Sequence, residues 1–146
     1  PSEKDGIAKC VCLSECNLPG LVGHSERYGR FGFVFDKRTV FQAGGRPCCY
    51  VAADEYSVIA GIGRGKPADT AEGRLFSLTN VYTPPGGNVK VQDFTHEREW
   101  RFFGDFMFEE TPRVLLFAPS AYIVEMQNKF PNSTIMSLDI LFQWGS

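Results

Sequence analysis

Long apolar runs are missing from this 146-residue chain, and none approaches the ~20 residues that cross a bilayer. No membrane partner is expected. A strong charge of either sign is also missing. A formal net charge of -2 and a pI of about 5.7 provide no global basic field, which excludes a general DNA or RNA binder. An enzyme that touches nucleic acid locally stays open. The start, Pro1-Ser2-Glu3-Lys4-Asp5, lacks the basic and apolar stretches of a signal peptide. It also lacks an initiator methionine, which predicts a trimmed chain with residues missing upstream. There are no repeats and no low-complexity tract. The five cysteines make no disulfide framework, since their number is odd and Cys48 and Cys49 are adjacent. Reduced thiols in a cytoplasmic protein are the simpler expectation.

What is present suits one compact domain spanning residues 1–146. A hydrophobic fraction of 43% with thirteen phenylalanines supplies a globular core, and a chain of this length buries about two-thirds of its unfolded surface. Lys9–Leu13 alternates as a short strand, with Cys10 and Cys12 on one face and Val11 on the other. Asn17, Pro19, Gly20 and Gly23 make Ser14–Arg27 a loop with at most one helical turn. Tyr28–Phe35 reads as a strand whose face of Phe31, Phe33 and Phe35 enters the core. Asp36 caps a helix over Lys37–Ala43 that Gly44-Gly45 ends.

Further along, Pro47–Ala52 reads as a buried strand and Asp54–Ala60 as a helix. Gly61–Gly73 and Pro84–Asn88 carry the glycines and prolines of mobile segments. Thr95–Phe103 and Arg113–Phe117 are expected strands, a helix should start at Pro119-Ser120 and reach Phe130, and Ile135–Phe142 should close the chain as a strand. Many short strands with few short helices predict an α+β fold around one central, mostly antiparallel sheet.

On an extended strand, side chains two apart share a face. Glu97, Glu99 and Arg101 then line one side, and Arg98, Trp100 and Phe102 the other. Two carboxylates about 6–7 Å apart favour a nearby cation, and Arg101 is placed to supply it. Such a row fits an acid/base or hydroxyl-orienting carboxylate pair beside a groove. It fits equally a solvated face whose Glu–Arg pair contributes under ~1 kcal/mol.

Three ordered blocks carry a resemblance. They are His24-x3-Tyr28-Gly29-x-Phe31-Gly32-x2-Phe35-x-Lys37, Gly45-x-Pro47-x2-Tyr50, and Glu97-x-Glu99-Trp100-Arg101. Together, over roughly residues 10–120, the chain resembles the AbiGi-type abortive phage-resistance proteins. That resemblance implies bacterial phage defence or a toxin–antitoxin pair. More distantly, Arg46-Pro-Cys-Cys-Tyr50 and Glu97-x-Glu99 look like elements of ADP-ribosyltransferases, with NAD as cofactor and a nucleic-acid or protein target. By that likeness Glu99 is catalytic and Glu97 auxiliary, while Arg46, Arg38, His24 and Tyr50 line the cofactor. An arginine suits a pyrophosphate because its planar fork gives two hydrogen bonds at once. The ribose contact that precedes the first strand in such enzymes has no counterpart in Pro1–Lys9. Either it lies upstream or the likeness ends with the E-x-E strand. The alternative is a non-enzymatic antitoxin or protein-binding module that docks through Glu97, Glu99 and Arg101.

Other constellations carry less. Cys10-x-Cys12-x3-Cys16-x7-His24 holds four zinc-type ligands but is too crowded for paired knuckles, so no metal is expected and Cys10 and Cys12 read as core. Cys16 with His24 or His96 would make a nucleophilic pair, without a local signature. His24 precedes a window in which Arg27, Arg30, Lys37, Arg38 and Arg46 outnumber Glu26 and Asp36 by three. That excess would receive an anion or form a solvated rim. Gly61-Ile-Gly63-Arg-Gly65-Lys66 lacks the spacing of a phosphate loop. Ser77-Leu-Thr79 is only faintly like the S-T-S element of arginine-modifying transferases.

Overall fold

Backbone order follows from a series of local stops and starts. A computed structural model describes residues 9–84, 97–108 and 114–142. The first half runs β1 (Cys10–Ser14), α1 (Leu18–Tyr28), β2 (Gly32–Val34), α2 (Lys37–Ala43), β3 (Arg46–Pro47), β4 (Cys49–Val51) and α3 (Ala53–Gly63). The second half runs α4 (Ala71–Ser77), β5 (Thr79–Val81), β6 (Glu99–Phe103), β7 (Leu115–Ala118), α5 (Ile123–Lys129), β8 (Thr134–Ser137) and α6 (Leu138–Phe142). A 3-10 turn at Ser120–Tyr122 leads into α5. The class is α+β, as expected. Its described strands fall into three small sheets rather than one central sheet, in the orders β1-β6-β3, β2-β7-β8 and β4-β5. Pairing is antiparallel for β1/β6, β3/β6 and β2/β7, and parallel for β4/β5 and β7/β8.

The chain gathers into two compact units, each made of two stretches. One joins the segment ending at Glu15 to Phe41–Phe106, and the other joins Cys16–Val40 to the segment beginning at Met107.

In the first unit the chain changes sheets at a single link. The Cys48 amide donates to the Glu99 carbonyl at 2.8 Å, and the next amide, Cys49, donates to the Leu78 carbonyl at 2.8 Å. One strand expected at Pro47–Ala52 is therefore two, β3 beside β6 and β4 beside β5. Cys49 is exposed, because it sits at the crossing rather than in a core. The glycine-rich stretch expected to be mobile at Gly61–Gly73 instead ends α3 and starts α4. Thr70 caps α4 by accepting the Gly73 amide at 3.1 Å. The two helices approach through Gly63, where a Cβ would fall 2.2 Å from the Glu72 carbonyl, and Gly73 lies against the connection between them, where a Cβ would fall 2.1 Å from the Pro67 carbonyl. Phe76, Ser77 and Thr79 are buried there.

In the second unit, Val114, Leu116, Phe117 and Ala118 bury β7 beside Leu138 of α6. The loop expected over Ser14–Arg27 is only residues 15–17, between the end of β1 at Ser14 and the three-turn helix α1. Asn17 caps α1 through the Gly20 amide at 2.8 Å, and proline in the first turn gives up no needed hydrogen bond. The glycines counted as breakers are tolerated. Gly20 lies against the Asn17 side chain, and Gly23 faces open space.

The aromatic strand differs more. β2 keeps only three residues at the edge of its sheet, all exposed. Phe31 and Phe33 remain 53% and 42% exposed. Phe33 contacts Phe35, Phe108 and Phe130 at ring separations of 5.4–6.2 Å, so the phenylalanines form a surface cluster, not a core face. The helix expected at Lys37–Ala43 is α2, with the Thr39 amide on the Asp36 carboxylate at 3.1 Å and Gly44 at φ 113 closing it. The last expected strand turns helical at Leu138, because the Ser137 hydroxyl accepts the Asp139 amide at 3.2 Å as a cap. All but the first residue of Pro84–Asn88, together with Thr95, His96 and Arg113, lies outside the described residues.

Two substitutions in one helix should have opposite signs. Gly63→Ala drives a methyl into backbone and should cost about 3 kcal/mol. Gly61→Ala, with nothing within 4 Å, should stabilise by up to ~1 kcal/mol. Urea denaturation of both variants reads the difference.

Candidate functional site: the Glu99–Arg101 cluster

β6 carries the cluster because its neighbours fix its register. Ser14 of β1 lies opposite Glu99, and Cys12 lies opposite Arg101. From the other side, Arg46 of β3 also pairs with Arg101. Glu99 and Arg101 share a face, as their spacing predicts, and their side chains are only 14% and 11% exposed. Arg101 Nε donates to Glu99 Oε1 at 2.8 Å and Nη2 donates to Oε2 at 3.1 Å, a bidentate pair. Asn80 of β5 closes the ring, with Nδ2 donating to Glu99 Oε2 and Oδ1 accepting from Arg101 Nη2, both at 2.8 Å. Arg101 Nη1 also donates to the Ser77 carbonyl at the end of α4.

The charges follow from this geometry. Burial pushes the Glu99 carboxyl up, but bonds from Arg101 and Asn80, and one from the Cys12 thiol, outweigh it and hold the group below the usual carboxylate range. Burial opposes the Arg101 cation, and Glu99 more than compensates. The Cys12 thiol is pushed up to about 12 by burial and by its bond to Glu99. Cys48 rises to about 12 chiefly by burial. Neither thiol is an activated nucleophile, which needs the thiolate.

The opposite face of β6 has its own anchor. Glu15 Oε1 pairs with Arg98 Nη2 at 2.9 Å, and Glu15 Oε2 accepts the Trp100 indole N–H at 3.2 Å. Arg98 sits at φ 43, in the left-handed region. This interrupts the extended alternation assumed for residues 97–101. β6 begins at Glu99, and Glu97 belongs to the turn before it, so the expected row of three keeps Glu99 and Arg101.

The cofactor candidates are distributed differently. Arg46 caps α2, with Nη1 donating to the Phe41 and Gly45 carbonyls at 2.9 and 2.7 Å and its guanidinium 4.1 Å over the Phe41 ring. Tyr50 stands opposite Asn80, its hydroxyl buried close to the Glu99 backbone and the Asn80 side chain but not in full hydrogen-bond geometry with any of the described residues. Burial raises its pKa. His24, in a tilted ring contact with Tyr28 at 4.5 Å, and Arg38, exposed on α2, belong to the second unit. Asn80, Ser77, Cys12, Cys48 and Glu15 were not expected as partners. Only the packing of elements distant in sequence brings them together.

Among the described residues no group of three or more His, Cys, Asp or Glu converges on a metal-sized space. No described helix is long and apolar enough to cross a membrane.

Breaking the enclosed pair should cost about 3 kcal/mol for either Glu99→Ala or Arg101→Ala, because each leaves a buried charge unpaired. The double variant should cost less than the sum, as urea melts of the cycle will read. A depressed folded pKa means that the contribution of Glu99 is complete above the unfolded value near 4.5 and is lost as pH falls through the lower folded value. Wild-type stability should therefore drop below about pH 4.5, and that part of the drop should vanish in Glu99→Gln. No family model, no curated protein and no solved structure matches the chain, so the site stands on its own geometry.

Proposed function

We propose that this chain is a non-enzymatic protein-binding module, of antitoxin type, working in the phage-defence setting that its three sequence blocks imply. One observation carries the reading. The carboxylate that would do the chemistry already accepts from Arg101 Nε and Nη2 and from Asn80 Nδ2, with the Cys12 thiol beside it. A carboxylate has about four acceptor positions. With three of these occupied, Glu99 holds a sheet together and has little left for a substrate hydroxyl. Its depressed pKa also moves it away from the near-neutral value that suits a general base.

The enclosure of Glu99 and Arg101 makes them a poor docking face as well. The exposed aromatic cluster of Phe31, Phe33, Phe108 and Tyr122 in the second unit suits contact with a partner better, since clustered exposed apolar side chains mark interaction sites.

A second reading, an NAD-dependent transferase-like site, is favoured by the Tyr50 hydroxyl. It is a buried oxygen beside the Glu99 backbone and the Asn80 side chain, without a full hydrogen bond among the described residues, which a ribose or an amide would supply.

Incubation with labelled NAD plus DNA, RNA or cell lysate separates the two. The binding reading expects no NAD loss and no label transfer, together with restored growth when the chain is co-expressed with its cognate toxin. NAD loss that disappears in a folded Glu99→Gln variant and weakens in Tyr50→Phe would establish the transferase reading instead.

A further inference from the structure

We propose that α3 pairs with α3 of a second copy of this chain, antiparallel, about a two-fold axis between Val58 and Ile62. The inner face of the helix is already covered. Tyr56 meets the Phe76 ring at a centroid distance of 5.8 Å, and Gly63 lies against Glu72 of α4. On the outer face Asp54, Val58 and Ile62 follow one another at four-residue spacing and share one stripe. Val58 is 64% exposed and Ile62 51%, and a Cβ on Gly61 beside them would meet nothing within 4 Å. One exposed apolar side chain is ordinary at a surface, whereas two branched ones on successive turns form a contiguous patch.

Charge names the occupant. Asp54 and Glu55 stand in the first turn of α3, and Arg64 and Lys66 follow its last residue, all four exposed. The Arg64 guanidinium turns over the Phe76 ring, which leaves Lys66 as the base toward solvent. Among the described residues neither Asp54 nor Lys66 makes an ion pair through its side chain. Acid at the start of a helix and base at its end also complement the helix's own dipole. The dipole gives no reason for the apolar pair between them to face water.

Reversing a second copy along the first sets Val58 against Ile62 and brings each acidic end to the other's basic end. The order acid, apolar, apolar, base is thus complementary to itself. A two-fold interface requires this, since each of its contacts occurs twice. A parallel pairing would set like charges together, which is unfavourable. With only 11 residues in α3, the contact is smaller than a standard stable interface, so the dimer is reversible, with a Kd on the order of 1 μM to 1 mM. It uses none of the aromatic residues of the second unit and stands apart from the binding reading.

Sedimentation equilibrium of the full chain across that concentration range should show the mass rising from one chain to two. Val58→Asp should remain a single chain throughout, with a wild-type circular dichroism spectrum, because the side chain it replaces is exposed. Asp54→Lys alone and Lys66→Asp alone should each weaken pairing at least ~10-fold, since each places like charges together twice. An equal mixture of these two variants should recover the dimer, and so should the double variant Asp54→Lys/Lys66→Asp. Such recovery separates charge matching from damage to the fold. A wild-type chain that stays single at every concentration overturns the proposal, as does a dimer that survives Val58→Asp. Folded charge variants that pair no better when mixed than alone overturn it too.

Discussion

The bidentate bond between Arg101 and Glu99 is the constraint on which the first unit depends. Both side chains are largely enclosed, and removing ions from water costs several kcal/mol each unless every donor and acceptor finds a partner. That requirement recruits residues from elements far apart in sequence. Asn80 comes from β5, the Ser77 carbonyl from the end of α4, and Cys12 from β1. The pair therefore links the antiparallel sheet β1-β6-β3 to the parallel pair β4-β5, the two sheets between which the backbone crosses at Cys48 and Cys49. A polar network of this kind specifies one arrangement, because a slipped register would leave a charge stranded.

β6 is held on both faces by different physics. Beneath the Glu99–Arg101 pair, Glu15 grips Arg98 and the Trp100 indole, and the Glu15 amide also bonds to the Arg98 carbonyl at 3.3 Å. These bonds help hold Arg98 in a left-handed conformation that a non-glycine residue adopts at some cost. The strand consequently begins where the buried pair begins. The same cluster also shapes the chemistry, since a carboxylate kept ionised and saturated holds structure well and is a weak proton acceptor. The thiols around it are held protonated, so the face is chemically quiet toward electrophiles at neutral pH.

What the sequence made legible was local. Asp36 followed by a short apolar helix and Gly44-Gly45 marked α2 to the residue, because capping and a left-handed stop are written in adjacent positions. The Glu99/Arg101 spacing gave their shared face for the same reason. Glu97 was misplaced because alternation over residues 97–101 assumed an extended Arg98. The loop drawn over Ser14–Arg27 gave two glycines more weight than the Asn17 cap beside them. The phenylalanines of β2 alternated like a core face, yet β2 is an edge strand with nothing described across it, so periodicity located the strand without telling inside from outside. The partners of Glu99 were illegible in principle. Asn80 lies nineteen residues away and meets it only through the register of β4, β5 and β6.

Side-chain NMR of Glu99 and Arg101 tests the central claim most directly. The account predicts a Glu99 carboxyl carbon that titrates below about 4.5, and an Arg101 Nε–H that exchanges slowly with water at neutral pH. A Glu99 carboxyl that titrates near neutrality, or a rapidly exchanging Arg101 Nε–H, would contradict it, because the carboxylate would then be free for chemistry and the strand held by something else.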